Sequence, residues 1–324
     1  MSPLDRSDPE AAIAASAKRN SNWGRWGPGD VRGTMNFLTE AKRREAGALI
    51  RRGVSFSLAQ SFDMNGPQKG WRRRTNPVHT MLDTGTDAAA GVQGFPHGIG
   101  GADDVIAMPL QCSTQWDGLG HIFDHGLAWN GRLAAETVTS LGDSFTGIET
   151  VAGVIAGRGV LLDVGRALGD GGELPDGFAI TRAHLEETIA RQGATSAVGR
   201  GDIVVVRTGQ MEHCLARGDW GAYAAGDAPG LRFETAEWIH RKQIAAICLD
   251  TWGCEVRPNE STEAFQPWHW IVIPMIGIWM GEIFYLKDLA DDCAKDKVYE
   301  FLFCAPVLPI TGAVGSPINP IVLK

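Results

Sequence analysis

Through the second half of the chain, short apolar runs alternate with helical stretches. Val160 to Val164 reads VLLDV and Asp202 to Thr208 reads DIVVVRT, continuous enough to predict strands buried on both faces. Ala245 to Leu249 and Tyr299 to Ala305 predict two more. Between them Thr181 opens a helix that ends near Gly193, and Phe233 to Lys242 predicts another. Such alternation indicates an α/β protein. The first half is less regular. Residues 1–20 read as a loose or helical lead-in and the Trp- and Gly-rich segment Asn22 to Asp30 as an ordered loop. Thr39 reads as the N-cap of a helix running to about Arg52, with Gly53 as its stop. A strand is expected over Val54 to Ala59. From Asp63 to Gly101 the pattern dissolves. Loops this long inside a domain are usually functional or disordered. Trp71, His79, Phe95 and His97 make this one a candidate wall for a substrate pocket. No clean linker interrupts the chain. The expected organisation is an N-terminal extension and helix over residues 1–52, followed by one domain over residues 53–324.

Composition narrows the partners. The chain has 324 residues, 44% hydrophobic and 21% charged, which is ordinary for a globular protein with a large core. A formal net charge of -8 argues against nucleic acid or an anionic membrane surface as the main partner. The most apolar run, Ile271 to Met280, contains Pro274 and is too short to span a bilayer. The opening MSPLDRSDPEAA lacks an apolar export core, so the cytoplasm is the expected location. Six scattered cysteines without a CxxC pair predict neither a disulfide framework nor a cysteine-zinc site. Neither GxGxxG nor a GxxxxGKS loop occurs, so nucleotide binding has no support.

The chemistry concentrates in LQCSTQWDGLGHIFDHG, residues 110–126. Gln111, Gln115, Asp117 and His121 all carry odd numbers. On an extended strand they share one face, while Cys112, Thr114 and Trp116 point to the other. On a helix, Asp117 and His121 would point away from the glutamines. Gln115 and Asp117 lie ~7 Å apart along a strand, close enough for converging side chains to share an ion. Gln111 is ~13 Å from Gln115 on the same geometry and joins only if the chain bends near Cys112 and Ser113. Gly118 and Gly120 permit a bend before His121. The expectation is a strand that kinks or bulges into a loop. Cys112 reads as a buried structural thiol rather than a nucleophile. Spacing by itself favours a buried hydrogen-bond network over a metal site.

The same segment resembles the signature HxGTHxDxPxH of the cyclase family, which includes bacterial kynurenine formamidases and isatin hydrolases. Laid on this chain, the leading histidines fall on Gln111 and Gln115, the aspartate on Asp117 and the last histidine on His121. Thr114 matches, Ser113 replaces the glycine and Leu119 replaces the proline. The resulting QxxxQxDxxxH pattern is similar to that of a branch represented by trans-dienelactone hydrolase, a zinc enzyme. NWGRWGPGDVRGTMNFLT, GRGVLLDVGR, GDIVVVRTG and the stretch from GEIFYL to GSPINPI extend the resemblance over most of the chain.

The resemblance implies an α/β swivelling β/β/α fold, a small-molecule substrate and a homo-oligomer, dimer or tetramer. It implies a divalent metal, Zn²⁺ first and Mn²⁺ as the alternative, held by Gln111, Gln115 and Asp117 with His269 and Glu282 from the C-terminal third. It makes His121 the general base and then the acid, with His125 a weaker alternative. The implied reaction is hydrolysis of a carbonyl C–O or C–N bond in a lactone, cyclic amide or formamide, a lactone first. A formamidase of the kynurenine type, a non-catalytic binding relative and an isomerase are the alternatives. Without the resemblance, His269 between Trp268 and Trp270 reads as a core histidine. Glu282, placed after an apolar run, reads as a carboxylate that needs a partner to be buried. Asp250 in LDTWG either approaches the site or caps a turn.

Overall fold

The computed structural model describes residues 4–324, so the first three residues of the expected lead-in lie outside it. Its centre is four parallel strands: β5 (Ala156–Asp163), β6 (Ile203–Arg207), β7 (Ala246–Leu249) and β8 (Trp279–Glu282). Antiparallel strands extend them on both sides. β9 (Glu300–Cys304), β11 (Ile321–Leu323) and β1 (Ser55–Ser57) follow outward from β5. β4 (Gln115–Asp117) and β10 (Gly315–Pro317) follow outward from β8. The result is one curled nine-stranded sheet in the order β1-β11-β9-β5-β6-β7-β8-β4-β10.

The central strands read as continuous apolar runs because both faces are covered. Val160, Leu162, Val204, Val206, Ile247, Leu249 and Met280 pack into one core. Leu161, Ile203, Val205, Ala246, Cys248 and Trp279 pack into the other. The period of two therefore assigns every residue of these strands to a layer. Two of the covering helices run between the parallel strands: α4 (Arg182–Gln192), capped by Thr181 and His184, and α5 (Thr235–Lys242). Residues before position 53 also join the core. Helix α1 (Pro9–Asn20) contributes Ile13 and Ala17 to the same layer as Val204, and the Thr34 hydroxyl donates to the Ala245 and Gly277 carbonyls.

Two expectations need correction. The helix capped by Thr39, α2 (Glu40–Gly47), stops five residues before Arg52. The backbone N–H groups of Arg52, Gly53 and Val54 donate instead to the Lys324 carbonyl, which draws the chain into the β1–β11 pair. The stretch from Asp63 to Gly101 is not wholly irregular. It sends out a two-stranded ribbon, β2 (Val78–Asp83) with β3 (Asp103–Ala107), bridged by a short helix α3 (Gly85–Ala89). Every residue of both strands is exposed. With no face buried, nothing imposes the alternation that marks a strand in sequence. Among the described residues no helix is long and apolar enough to cross a membrane.

Candidate active site

The segment that carries the predicted chemistry is a strand of three residues with a bend on either side. β4 pairs antiparallel with β8 so that Gln115 stands opposite Glu282 and Asp117 opposite Met280. Gln115, Asp117 and Glu282 thus share one face at the carboxyl end of β8, the side of an α/β sheet where ligands gather. Trp116 turns to the other face, where its indole N–H donates to the Ala305 carbonyl. Gln115 Nε2 donates to Glu282 Oε2 at 2.8 Å and to Asp117 Oδ1 at 3.3 Å. Gln115 Oε1 is left buried without a partner.

Two histidines complete the row. The turn from Gly118 to His121 brings His121 Nε2 to 3.6 Å from Asp117 Oδ2. His269 starts a short helical turn that is fixed by Glu255. That carboxylate accepts from the backbone N–H groups of Trp268 and His269 and, at 2.7 Å, from His269 Nδ1. The other ring nitrogen, Nε2, lies 3.8 Å from Glu282 Oε1. A carboxylate behind a histidine in this manner sets the tautomer and aims the free nitrogen, an arrangement usual for metal-binding imidazoles.

The electrostatics are strained in the same place. Burial, with the neighbouring charge of Asp117, pushes the Glu282 carboxyl up to about 7. Burial pulls His269 down, but its hydrogen bond to Glu255 and the nearby carboxylate of Glu282 outweigh this and raise it to about 9. Burial holds His121 below the ordinary imidazole value against the pull of Asp117, and Arg74 adds to the depression. This depression favours the neutral imidazole, the form able to accept a proton.

These residues fit a divalent cation by donor chemistry. Two buried carboxylates face each other, a backed imidazole points toward them, and an amide oxygen among them has nothing to accept from. The side chains run as a row of pairwise contacts rather than a shell. Among the described residues no three of His, Cys, Asp or Glu gather around a common point. Gln115 Nε2 now bridges the carboxylates, and turning that amide would present Oε1 to a cation in its place.

A narrow cleft opens over the row, with a cavity volume of only about 10 Å³, room for little more than a water between its walls. Trp71, Arg72, Arg74, Trp252 and Gln266 wall it, with the Trp71 and Trp252 rings edge to face at 5.0 Å. Roomier surface clefts exist, for instance between α1 and His125, but they hold none of this row. Of the pocket-wall candidates, Trp71 lies in the cleft. His79 is on the ribbon, 2.9 Å from Asp104, and Phe95 and His97 occupy the exposed connection from α3 to β3. The ribbon's exposure removes these three from the cleft of their own chain. Gln111 also stands apart. Its amide lies on the backbone of Gly315, where a methyl group would come within 2.5 Å of Nε2, and it makes no hydrogen bond to Asp117 or Glu282. Cys112 is buried and its thiol is pushed up to about 11, chiefly by burial. His125 is exposed against Asp124, and Asp250 caps the turn after β6. Sequence reasoning missed Glu255, Arg74 and Trp252. Glu255, set between Cys254 and Val256, carried the same signal of a carboxylate among apolar neighbours that singled out Glu282.

Comparison with known proteins agrees with this architecture. The profile of the family described as "Putative cyclase" matches residues 51–256. A crystal structure described as a novel cyclase is 40% identical, with 94% of this chain and 99% of that one covered and a TM-score of 0.84. Isatin hydrolase A from Ralstonia solanacearum shares 15% identity over 88% of this chain and 98% of its own, with a TM-score of 0.62. An isatin hydrolase bound to the product analogue thioisatinate shares 15% over 86% and 94%, with a TM-score of 0.60. At that identity the two hydrolases speak for the fold alone. No curated protein matches the chain significantly. The curled nine-stranded sheet is the cyclase-family fold, and the chain belongs to the cyclase family.

Proposed function

We propose that the chain is a metal-dependent hydrolase that cleaves a carbonyl C–O or C–N bond in a small cyclic substrate, a lactone first. The observation that carries this reading is Gln115 Oε1, buried without a partner beside Asp117, Glu282 and His269. Asp117, Glu282, His269 through Nε2 and Gln115 through Oε1 would hold the cation, with Gln111 a further candidate if its amide leaves Gly315. When bound, the cation supplies Lewis acidity toward the carbonyl and toward water. Zn²⁺ is favoured by the resemblance to the Gln-bearing branch, and the oxygen-rich donor set also suits Mn²⁺. His121 accepts the proton of the attacking water at Nε2 and returns it to the leaving group. Trp71 and Trp252 give the cleft an aromatic edge for a flat ring. The preference for a lactone over a formamide follows the QxxxQxDxxxH pattern.

One observation favours a second reading, a non-catalytic binding protein: Gln115, a weak ligand standing where the family signature has histidine, hydrogen-bonds both carboxylates through Nε2. A panel of lactones, cyclic imides and formamides, run on protein of known metal content, separates the two. The hydrolase reading expects turnover that tracks metal occupancy and an Asp117→Ala variant that purifies without metal. Stoichiometric metal with no turnover of any substrate would leave the binding protein.

A further inference from the structure

Arg74 is buried, yet its charge is not answered as buried charges in this fold otherwise are. Arg207, equally buried, is held by Asp163 at 2.6 Å and by Glu212 at 2.6 Å. Among the described residues Arg74 has no carboxylate within ion-pair distance. Its guanidinium rests 5.2 Å from the centre of the Trp252 ring and reaches His121 Nε2 at 3.5 Å. The acids that line the same cleft, Asp117 and Glu282, are hydrogen-bonded to Gln115 instead, and Glu282 acts on Arg74 only through space. A buried guanidinium without an anion is costly unless a ligand supplies one.

The loop that presents Arg74 is built at a cost of its own. Gly70, Arg72 and Arg73 are all left-handed, with φ of 91°, 50° and 63°. The Arg73 and Arg74 N–H groups donate back to Gly70 and Trp71. Bulky residues avoid this region, and strain of this kind gathers where a side chain must be aimed. The turn puts Trp71 and Arg74 in the cleft and leaves Arg72 at its mouth. Two guanidiniums thus line the entrance of a site whose floor is carboxylate.

We propose that Arg74 is the anion subsite of this cleft. The substrate carries a carboxylate a few bonds from the carbonyl that is cleaved, and Arg74 takes it through a two-point, fork-to-fork pair while Trp252 supports the guanidinium from behind. Arg72 draws the anion in. The position of the carbonyl rests on the hydrolase reading; the anion subsite does not.

Equilibrium binding of benzoate against its neutral isostere benzamide tests it, followed by tryptophan fluorescence or calorimetry on the full chain, as purified and after chelator treatment. Wild type is expected to prefer benzoate by about ten- to a hundredfold in both states, the range for a charge-assisted pair. Arg74→Met loses the preference, and Arg74→Lys, which keeps the charge without the fork, retains part of it. Equal binding of benzoate and benzamide by wild type overturns the proposal. So does a preference that survives Arg74→Met, or one that chelation abolishes, because a cation would then be the anion's partner. If Arg74→Met does not fold, Arg74→Lys decides: a preference as large as wild type's overturns the fork-to-fork pair. A failure of every lactone to be cleaved would count against the hydrolase and leave the benzoate result untouched.

Discussion

Several carboxylates are buried near the carboxyl ends of the parallel strands, and the surroundings of two groups of them differ. Asp250, just after β7, accepts from Thr208 N at 2.8 Å, Thr208 Oγ1 at 2.9 Å and Gly209 N at 2.7 Å. Those bonds fasten the end of β6 to β7, and the carboxylate is met on both oxygens. Asp117 and Glu282, no more exposed than a few percent, share a single amide and leave its oxygen unmet. Burial is common to both places. Completion of the hydrogen bonding separates them, and it separates a structural acid from a site better than burial or charge does.

The contrast can be broken at several points. Removing the imidazole by His121→Ala should lower turnover by about 10²–10⁴-fold, the usual weight of a general base, with metal content per chain unchanged. Loss of metal with turnover retained would sink the assignment of His121 to proton transfer. Glu255→Gln should weaken metal affinity by about 10–100-fold, because the carboxylate behind His269 orients the ring and raises its basicity. Competition against a chelator measures this, and unchanged affinity would reduce Glu255 to a cap for the helical turn. Asp250→Asn should leave that affinity alone and cost about 1–3 kcal/mol of unfolding free energy, since a donor pair would face a donor. It should also remove a pH dependence. Burial raises Asp250 from 3.8 to about 6. Between those values the folded chain binds more protons than the unfolded one, so this residue's contribution to stability falls as pH rises through that window and is level above it. Denaturant midpoints from pH 4 to 7 should show that slope in wild type and lack it in the variant.

The frame of the protein was legible because burial writes itself into sequence. VLLDV and DIVVVRT are strands since both their faces are covered, and Thr181 opens its helix by the predicted cap. The odd-numbered face of Gln115 and Asp117 was legible for the same reason, since a strand alternates. Gln111 needed a bend in the right direction, and the chain bends so that its amide meets Gly315 instead. The ribbon was not legible, because strands exposed on both faces carry no pattern. Glu255 and Arg74 were not, because each acquires its meaning from a residue that only folding brings near. Arg74 in particular sits in a run of three arginines, and only a pair of left-handed residues distinguishes the one that turns inward.

The cross-strand pair of Gln115 with Glu282 joins positions 167 residues apart. On a ribosome, the first half of the site waits in the nascent chain until β8 has emerged and β4 has docked on its edge. Cation capture would thus close the assembly sequence rather than seed it, and a chain truncated before Glu282 should leave chelated metal in solution. Bound metal would then report that the sheet has closed, a natural quality mark for the finished fold.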